Sequence, residues 1–254
     1  MFFDSHAHLD DERFDMDRDE LISGLPGRGI SYVLNAGADM ESSQKSADLA
    51  VKYPFIYASV GIHPHDAANA SKDYLDRLSA LARQPKVMAI GEIGLDYHYD
   101  FSPRDVQRKC FREQLELAGQ LGLPVIIHDR EAHGDTMDIL RENRHKFGQG
   151  VLHCFSGSWE MAKACIDLGM YISLGGSVTF KNAVKAVETA EKIPIERLLI
   201  ETDSPYLAPH PFRGRRNDPG LVCHVAGRIG ELRGMDPEAV AEATLNNARR
   251  LFNI

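Results

Sequence analysis

His6 and His8 flank a single alanine at the end of the opening segment FFDSHAHLD. If that segment is extended, residues i and i+2 project to the same side, so two imidazoles can grip one cation. Glu92, His128, His153 and Asp203 complete a set in which each residue stands at or just beyond the end of a short apolar run. Imidazole nitrogens and carboxylate oxygens together suit zinc, manganese or iron, and the carboxylates alone tolerate magnesium. Four histidines and two carboxylates are more ligands than one tetrahedral ion takes. Shared through a bridging Glu92, they can hold two ions about 3.5–4 Å apart, the spacing of two-metal hydrolases. A lone histidine after an apolar run is more often a satisfied core or loop residue. Six such groups crowded together without a partner would be costly, and that cost favours the metal reading of the whole set.

The elements that must position them alternate along the chain. Eight apolar runs read as strands: FFDSH (2–6), ISYVLNA (30–36), FIYASVG (55–61), VMAIGE (87–92), PVIIH (124–128), GVLHCF (150–155), MYISLG (170–175) and RLLIET (197–202). They are apolar throughout rather than alternating, as parallel strands covered on both faces are. Between them lie stretches of helical spacing. MESSQKSADLAVKY starts from Asp39 as N-cap, and SKDYLDRLSALARQ starts at Ser71. SPRDVQRKCFREQLELAGQLG has Ser102 as N-cap, Pro103 at the first helical position and Gly122 just past the end. LISGLPGRG is short or broken late by Pro26 and Gly27. Eight strand–helix units in 254 residues predict an α/β fold, a (β/α)₈ TIM barrel of the metallo-dependent hydrolase type, as a single domain over 1–254. The runner-up is an open doubly wound sheet, weakened by the lack of GxGxxG after the first strand. In a barrel the six residues meet at the face formed by the C-terminal ends of the strands.

Composition narrows the class. Apolar residues make up 43% and charged residues 26%, ordinary for a globular protein. A net charge of -8 argues against non-specific coating of nucleic acid, which needs a basic face, and leaves room for a local basic patch. Cys110, Cys154, Cys165 and Cys223 form no CxxC pair and suit free thiols in a reducing cytoplasm. The acidic turn after MFF does not read as a secretory signal, and no run of 18 apolar residues exists to span a membrane.

DSHAHLD (4–10), VGIHPH (60–65), GEIGLDY (91–97), PVIIHDR (124–130), HCFSG (153–157) and ETDSPYLAP (201–209) resemble the TatD family of metal-dependent deoxyribonucleases, which is among the amidohydrolase-like metal barrels. The resemblance runs from residue 4 to Asn247. It implies that His6, His8, Glu92, His128, His153 and Asp203 are the metal ligands, with Glu92 bridging two divalent ions, and none of the six is missing. The family pattern leads to Glu before Pro219, and this chain has Asp218, away from the ligand set.

The expected chemistry is hydrolysis, with the ions lowering the pKa of a water held between them. Asp203 is the expected general base, with Glu92 beside it as the second catalytic carboxylate. His63, in the loop stiffened by Pro64, and Arg213 are expected to contact substrate phosphate. Arg215 and Arg216 extend the same basic run, His65 follows His63 in the loop after the third strand, and His98 could also reach the mouth. Trp159 and the tyrosines are read as packing rather than base-stacking platforms. By resemblance the substrate is DNA, single-stranded or at a strand end, with Mg, Mn or Zn required. The first alternative is hydrolysis of another ester, such as that of a D-aminoacyl-tRNA; the second is a non-catalytic metal-binding protein.

Overall fold

A computed structural model describes residues 1–254. Eight strands form one sheet in the order of the sequence, and every pairing is parallel. They are β1 (Phe2–Ala7), β2 (Ile30–Ala36), β3 (Ile56–Val60), β4 (Val87–Asp96), β5 (Val125–Arg130), β6 (Gly150–Leu152), β7 (Tyr171–Leu174) and β8 (Leu198–Ile200). The intervening and closing helices are α1 (Arg18–Gly24), α2 (Met40–Lys52), α3 (Tyr74–Leu81), α4 (Arg104–Leu121), α5 (His133–Glu142), α6 (Trp159–Asp167), α7 (Val184–Lys192), α8 (Val222–Arg233) and α9 (Pro237–Phe252). This is the (β/α)₈ barrel that the apolar runs predict, and the open-sheet alternative falls with it. None of the helices is long and apolar enough to cross a membrane.

Two apolar cores hold the barrel. The larger lies between the strands and the surrounding helices, with Phe14, Ile22, Leu78, Phe111 and Ile229 fully or almost fully buried. The smaller gathers one inward residue from each of seven strands, Phe3, Leu34, Ala89, Ile126, Val151, Tyr171 and Leu199, against Ala248, Leu251 and Phe252 of α9. The Phe3 and Phe252 rings lie 6.0 Å apart, so α9 seals the end of the barrel where the strands begin. The opposite end, where the strands finish, is left to polar residues.

The seam between β1 and β8 is built differently from the other seven junctions. No ladder joins them; a single bridge pairs Ala7 with Ser204. The His8 amide donates to the Ser204 carbonyl at 2.7 Å, and the Asp203 amide donates to the His6 carbonyl at 2.9 Å. Asp4, fully buried, accepts from the Thr202 amide at 2.8 Å and from the Thr202 hydroxyl. Side chains and loop backbone thus supply the hydrogen bonds that a strand pair would otherwise make.

Several local expectations need correction. β4 does not stop at Glu92 but continues to Asp96, through a register break between Ile90 and Ile93. Gly94 lies at φ 140°, and a Cβ there would stand 2.0 Å from the His128 carbonyl oxygen, so only glycine allows β4 and β5 to come this close. β6 is three residues long, which puts His153 just past its end rather than within it. α4 begins at Arg104, with Pro103 in the capping place. The Ser102 hydroxyl instead donates to the His65 carbonyl and accepts from the Ala68 amide, pinning the loop after β3. α3 starts after Asp73, not at Ser71. Asp39 does cap α2, in a reciprocal pairing with Ser42, and Gly122 ends α4 in the left-handed region.

Candidate metal centre

All six predicted residues meet at the polar end of the barrel, and Glu92 is their hub. Its Oε2 lies 3.2 Å from His6 Nε2 and 3.5 Å from His8 Nε2. Its Oε1 lies 2.9 Å from His128 Nδ1, 2.8 Å from His153 Nε2 and 3.3 Å from His63 Nε2. Asp203 Oδ1 stands 3.5 Å from His8 Nε2 and 3.9 Å from His6 Nε2. The histidines therefore divide into two groups, one on each oxygen of the same buried carboxylate. Asp203 takes φ 54°, an uncommon conformation for a residue with a side chain, on the turn that carries its carboxylate to the barrel mouth.

The spacing of donor atoms tests whether a cation fits. Ligand bonds of about 2.0–2.1 Å at tetrahedral angles place neighbouring nitrogens about 3.3 Å apart. His6 Nε2 and His8 Nε2 are 3.2 Å apart, and His128 Nδ1 and His153 Nε2 are 3.4 Å apart. Ring nitrogens converging so closely with no donor and acceptor assigned between them match coordination spheres. The group His6, His8 and Asp203 has its ligand atoms close enough to hold one ion.

The far nitrogen of each ring decides which nitrogen is free to bind. His8 Nδ1 faces the Ala36 carbonyl at 3.0 Å, leaving the Nε2 lone pair for a cation. His128 is turned the other way: Nε2 faces Asp96 Oδ2 at 3.0 Å, and Nδ1 points at Glu92. His153 Nδ1 points at Glu201 Oε1, 3.5 Å away. His63 is a different case. Its Nδ1 accepts from the His65 amide at 3.2 Å, so the neutral ring carries its proton on Nε2 and presents a donor toward the centre. The fold has drawn His63 into the cluster beside Glu92, closer in than a peripheral phosphate contact, yet in a donating tautomer.

Burial and mutual charge set the protonation of this cluster. Burial works to raise the Glu92 carboxyl, but His153, His63 and His6 around it hold it well below the usual carboxylate range. Burial likewise opposes ionisation of Asp203, and the hydrogen bond to His8 with the nearby His153 and His6 overcomes it. Burial tends to lower His8, yet its bond to Asp203 and the charge of Glu92 lift it to about 9. Burial, reinforced by His128, lowers His63 to about 4. The carboxylates thus favour the ionised form that a cation needs, and His8 favours the proton that a cation would displace.

Asp96 and Glu201 were not singled out from the sequence, although both stand inside quoted motifs, GEIGLDY and ETDSPYLAP. Asp96 is fully buried. Burial pushes its carboxyl up, but bonds from His128 and His65 and from the Tyr99 amide bring it far below the usual range. Glu201, also fully buried, accepts from the Cys154 amide behind His153. Metal-ligating histidines commonly rest on such carboxylates, and that is the signal by which they could have been found.

The centre lies in a cavity of about 710 Å³. Asp10, Asp11 and Asp66 line it, and Tyr99, Arg130 and Tyr206 stand at its rim. Tyr99 and Tyr206 are about half exposed, so these two are not the packing residues expected; Trp159 does pack on the core. The basic run after β8 does not act together. Arg213 lies over the Phe180 ring at 4.0 Å, beside the cavity rather than in it. Arg216 pairs with Asp17 at 2.6 Å and caps the Arg13 carbonyl, a structural tie across the seam loops. His98 pairs with the exposed Glu131 at 2.8 Å, whereas His65 reaches the cavity wall and Asp96.

Comparison with known proteins agrees with this geometry. A family model described as TatD related DNase matches residues 3–253. The chain is 45% identical over the full length of both proteins to an uncharacterized metal-dependent hydrolase, YabD, of Bacillus subtilis. It is 38% identical, over 99% of each chain, to a Citrobacter koseri protein named 3'-5' ssDNA/RNA exonuclease TatD. The crystal structure of YjjV, a TatD homolog from Escherichia coli K12, superposes with a TM-score of 0.93 at 33% identity, covering 100% of this chain and 98% of that one. Fold, ligand geometry and relatives agree: the chain belongs to the TatD-related DNase family of metal-dependent hydrolases.

Proposed function

We propose that residues 1–254 act as one hydrolase domain that removes nucleotides from the end of single-stranded or frayed DNA, with two divalent ions, Mg, Mn or Zn, at the centre. The observation that carries this reading is the division of the histidines between the two oxygens of Glu92. His6, His8 and Asp203 would hold one ion, His128 and His153 the other, and Glu92 would bridge them. Bound there, the ions supply Lewis-acid activation of water and of the phosphoryl oxygen. Asp203, ionised and at the cavity wall, is placed to take the proton of the attacking water as its oxygen bonds to phosphorus and the ester oxygen leaves. His63 presents its Nε2–H toward the reacting group. Arg213 lies farther out, toward the rest of the strand. The relatives named ssDNA/RNA exonucleases support this substrate class. The free cysteines suit action in the cytoplasm.

The test compares an end-labelled oligonucleotide, closed circular DNA and a D-aminoacyl ester as substrates, with metal and with EDTA. Stepwise shortening of the oligonucleotide is expected, abolished by EDTA and restored by divalent metal. Asp203→Asn is expected to lower kcat by about 100-fold or more, while His224→Ala on α8 stays within a few-fold. Ester cleavage that depends on Asp203, with DNA cleavage that does not, would transfer the assignment to the ester.

A further inference from the structure

A second cavity, of about 880 Å³, adjoins the catalytic one and shares Ser156 and Ser177 with it. Its floor is the loop that follows β7, and its far wall is the loop that follows β8. The two loops are fastened together. The His210 amide donates to the Thr179 hydroxyl at 2.8 Å. Gly176 packs so near the Leu207 carbonyl that a Cβ would stand 2.0 Å from it.

Three cations line this groove, Lys181, Lys185 and Arg213, and no acidic side chain does. None of the three makes a salt bridge, whereas 15 of the chain's 29 lysines and arginines do. The three also make no side-chain hydrogen bond, so their donors are unspent. The Arg213 guanidinium lies over the Phe180 ring at 4.0 Å, a contact that leaves its N–H groups free for an anion. Lys185 belongs to the first turn of α7, which carries no acidic residue to oppose an anion there. On a protein with net charge -8, uncompensated positive charge gathered beside the reaction centre is a local exception. The catalytic cavity has the opposite character, with Asp10, Asp11 and Asp66 on its wall.

We infer that this groove binds the phosphates of the single polynucleotide strand whose end lies in the catalytic cavity, so that Lys181, Lys185 and Arg213 bind the nucleotides next to the one being removed. The inference rests on the nuclease reading for its direction, but its deciding test is binding, which does not require cleavage. A polyanion with regularly spaced phosphates suits three separated cations and an aromatic ring that a base can approach. A small ester would fill only the catalytic cavity and leave the groove unused.

The experiment measures binding of a labelled hexathymidylate with phosphorothioate linkages, which resist cleavage, to the metal-loaded full chain across a salt series. Each phosphate neutralised on a single strand contributes about 0.7 to the slope of log K against log salt. Lys181→Gln with Lys185→Gln is therefore expected to reduce the slope by about 1.4. A fall in KM is expected for wild type as the substrate lengthens from two to six nucleotides, and the same double variant should lose it. Both lysines are exposed and unpartnered, so an unchanged Tm will show that the fold is intact. An unchanged slope, or wild type that does not bind the oligonucleotide, overturns the inference. Equal lysine dependence with polyglutamate of matched charge also overturns it, by assigning the groove to acidic polypeptide. Lysine-dependent binding, with no cleavage of the unmodified oligonucleotide in the presence of divalent metal, would leave the groove standing and refute the nuclease reading instead.

Discussion

Asp96→Asn exchanges one carboxylate oxygen for an amide nitrogen and leaves the shape of the side chain unaltered. Asp96 Oδ1 accepts from the amides of His98 and Tyr99 at 3.0 and 2.9 Å, and asparagine keeps an oxygen for them. Oδ2 faces His128 Nε2 and His65 Nε2, both at 3.0 Å, and there asparagine offers N–H to N–H. His128 can escape the clash only by moving its proton to Nδ1, the atom that faces Glu92 and the proposed ion. A hydrogen bond to a charged group contributes about 1.5–3 kcal/mol, so loss of the one that holds the binding tautomer should weaken that ion about 10- to 150-fold. The ion held by His6, His8 and Asp203 should keep its affinity within about threefold, since neither its ligands nor the Ala36 carbonyl behind His8 is touched. Competition against a chromogenic zinc chelator, with the two dissociation constants resolved, is the assay. Equal weakening of both ions, or weakening of neither, would refute the tautomer argument.

Other expectations follow from the same geometry. Elemental analysis after saturation with manganese or zinc should approach two ions per chain; a ceiling of one under every metal would remove the bridging role of Glu92. Proton competition gives a pH dependence: His8, lifted to about 9 by Asp203 and Glu92 against the effect of burial, must lose its proton to bind. Affinity at that ion should therefore rise as pH increases from 6 toward 9, by about tenfold per unit for each proton displaced, and a flat profile in titration calorimetry would contradict it. Asp4→Ala leaves the amide and hydroxyl of Thr202 without their buried partner and should lower stability by about 2–4 kcal/mol, read in urea titrations; a loss under 1 kcal/mol would show that water satisfies the seam. Burial pushes the Cys110 thiol up to about 11 and the Cys165 thiol up to about 12, so neither should react with Ellman's reagent at pH 8 until the chain is denatured.

Much of this was legible because parallel barrel strands are apolar on both faces and the six polar residues interrupt that pattern at its ends. HxH at the end of β1 was readable from the two-residue period alone. What escaped depends on contacts made across the fold. Asp96 looks like one carboxylate among 37 acidic residues until β4 is seen to continue beside β5 and carry it to His128. The extension of β4 was hidden because Gly94, which permits it, reads as a strand breaker. Arg216 resembles its neighbour Arg213 until Asp17 appears opposite it, far away in sequence. Ser102 has the residue type and position of a cap, but the hydrogen bonds of the His65 loop claim its hydroxyl. The lysines of the groove drew no notice because a lysine on an amphipathic helix, as Lys185 is, or in the turn before one, as Lys181 is, is ordinarily solvated.

The seam between β1 and β8 runs through the candidate metal centre. His6 belongs to the first strand, His8 stands just past its end and Asp203 follows the last, so the ligands proposed for one ion come from opposite ends of the sheet. A cation there would act as a rivet, closing a loop of nearly two hundred residues where backbone pairing is thinnest. Cross-linking so long a loop removes on the order of 5 kcal/mol of chain entropy from the unfolded ensemble, as far as coordination holds the two ends. Loss of the ion would then be felt first as fraying of the terminal strands, with hydrogen exchange quickening in β1 and β8 while β4 and β5 stay protected. The same atoms that would prepare water for reaction would keep the ring from opening, so that a chelator would disarm the catalyst and loosen the architecture at a single point.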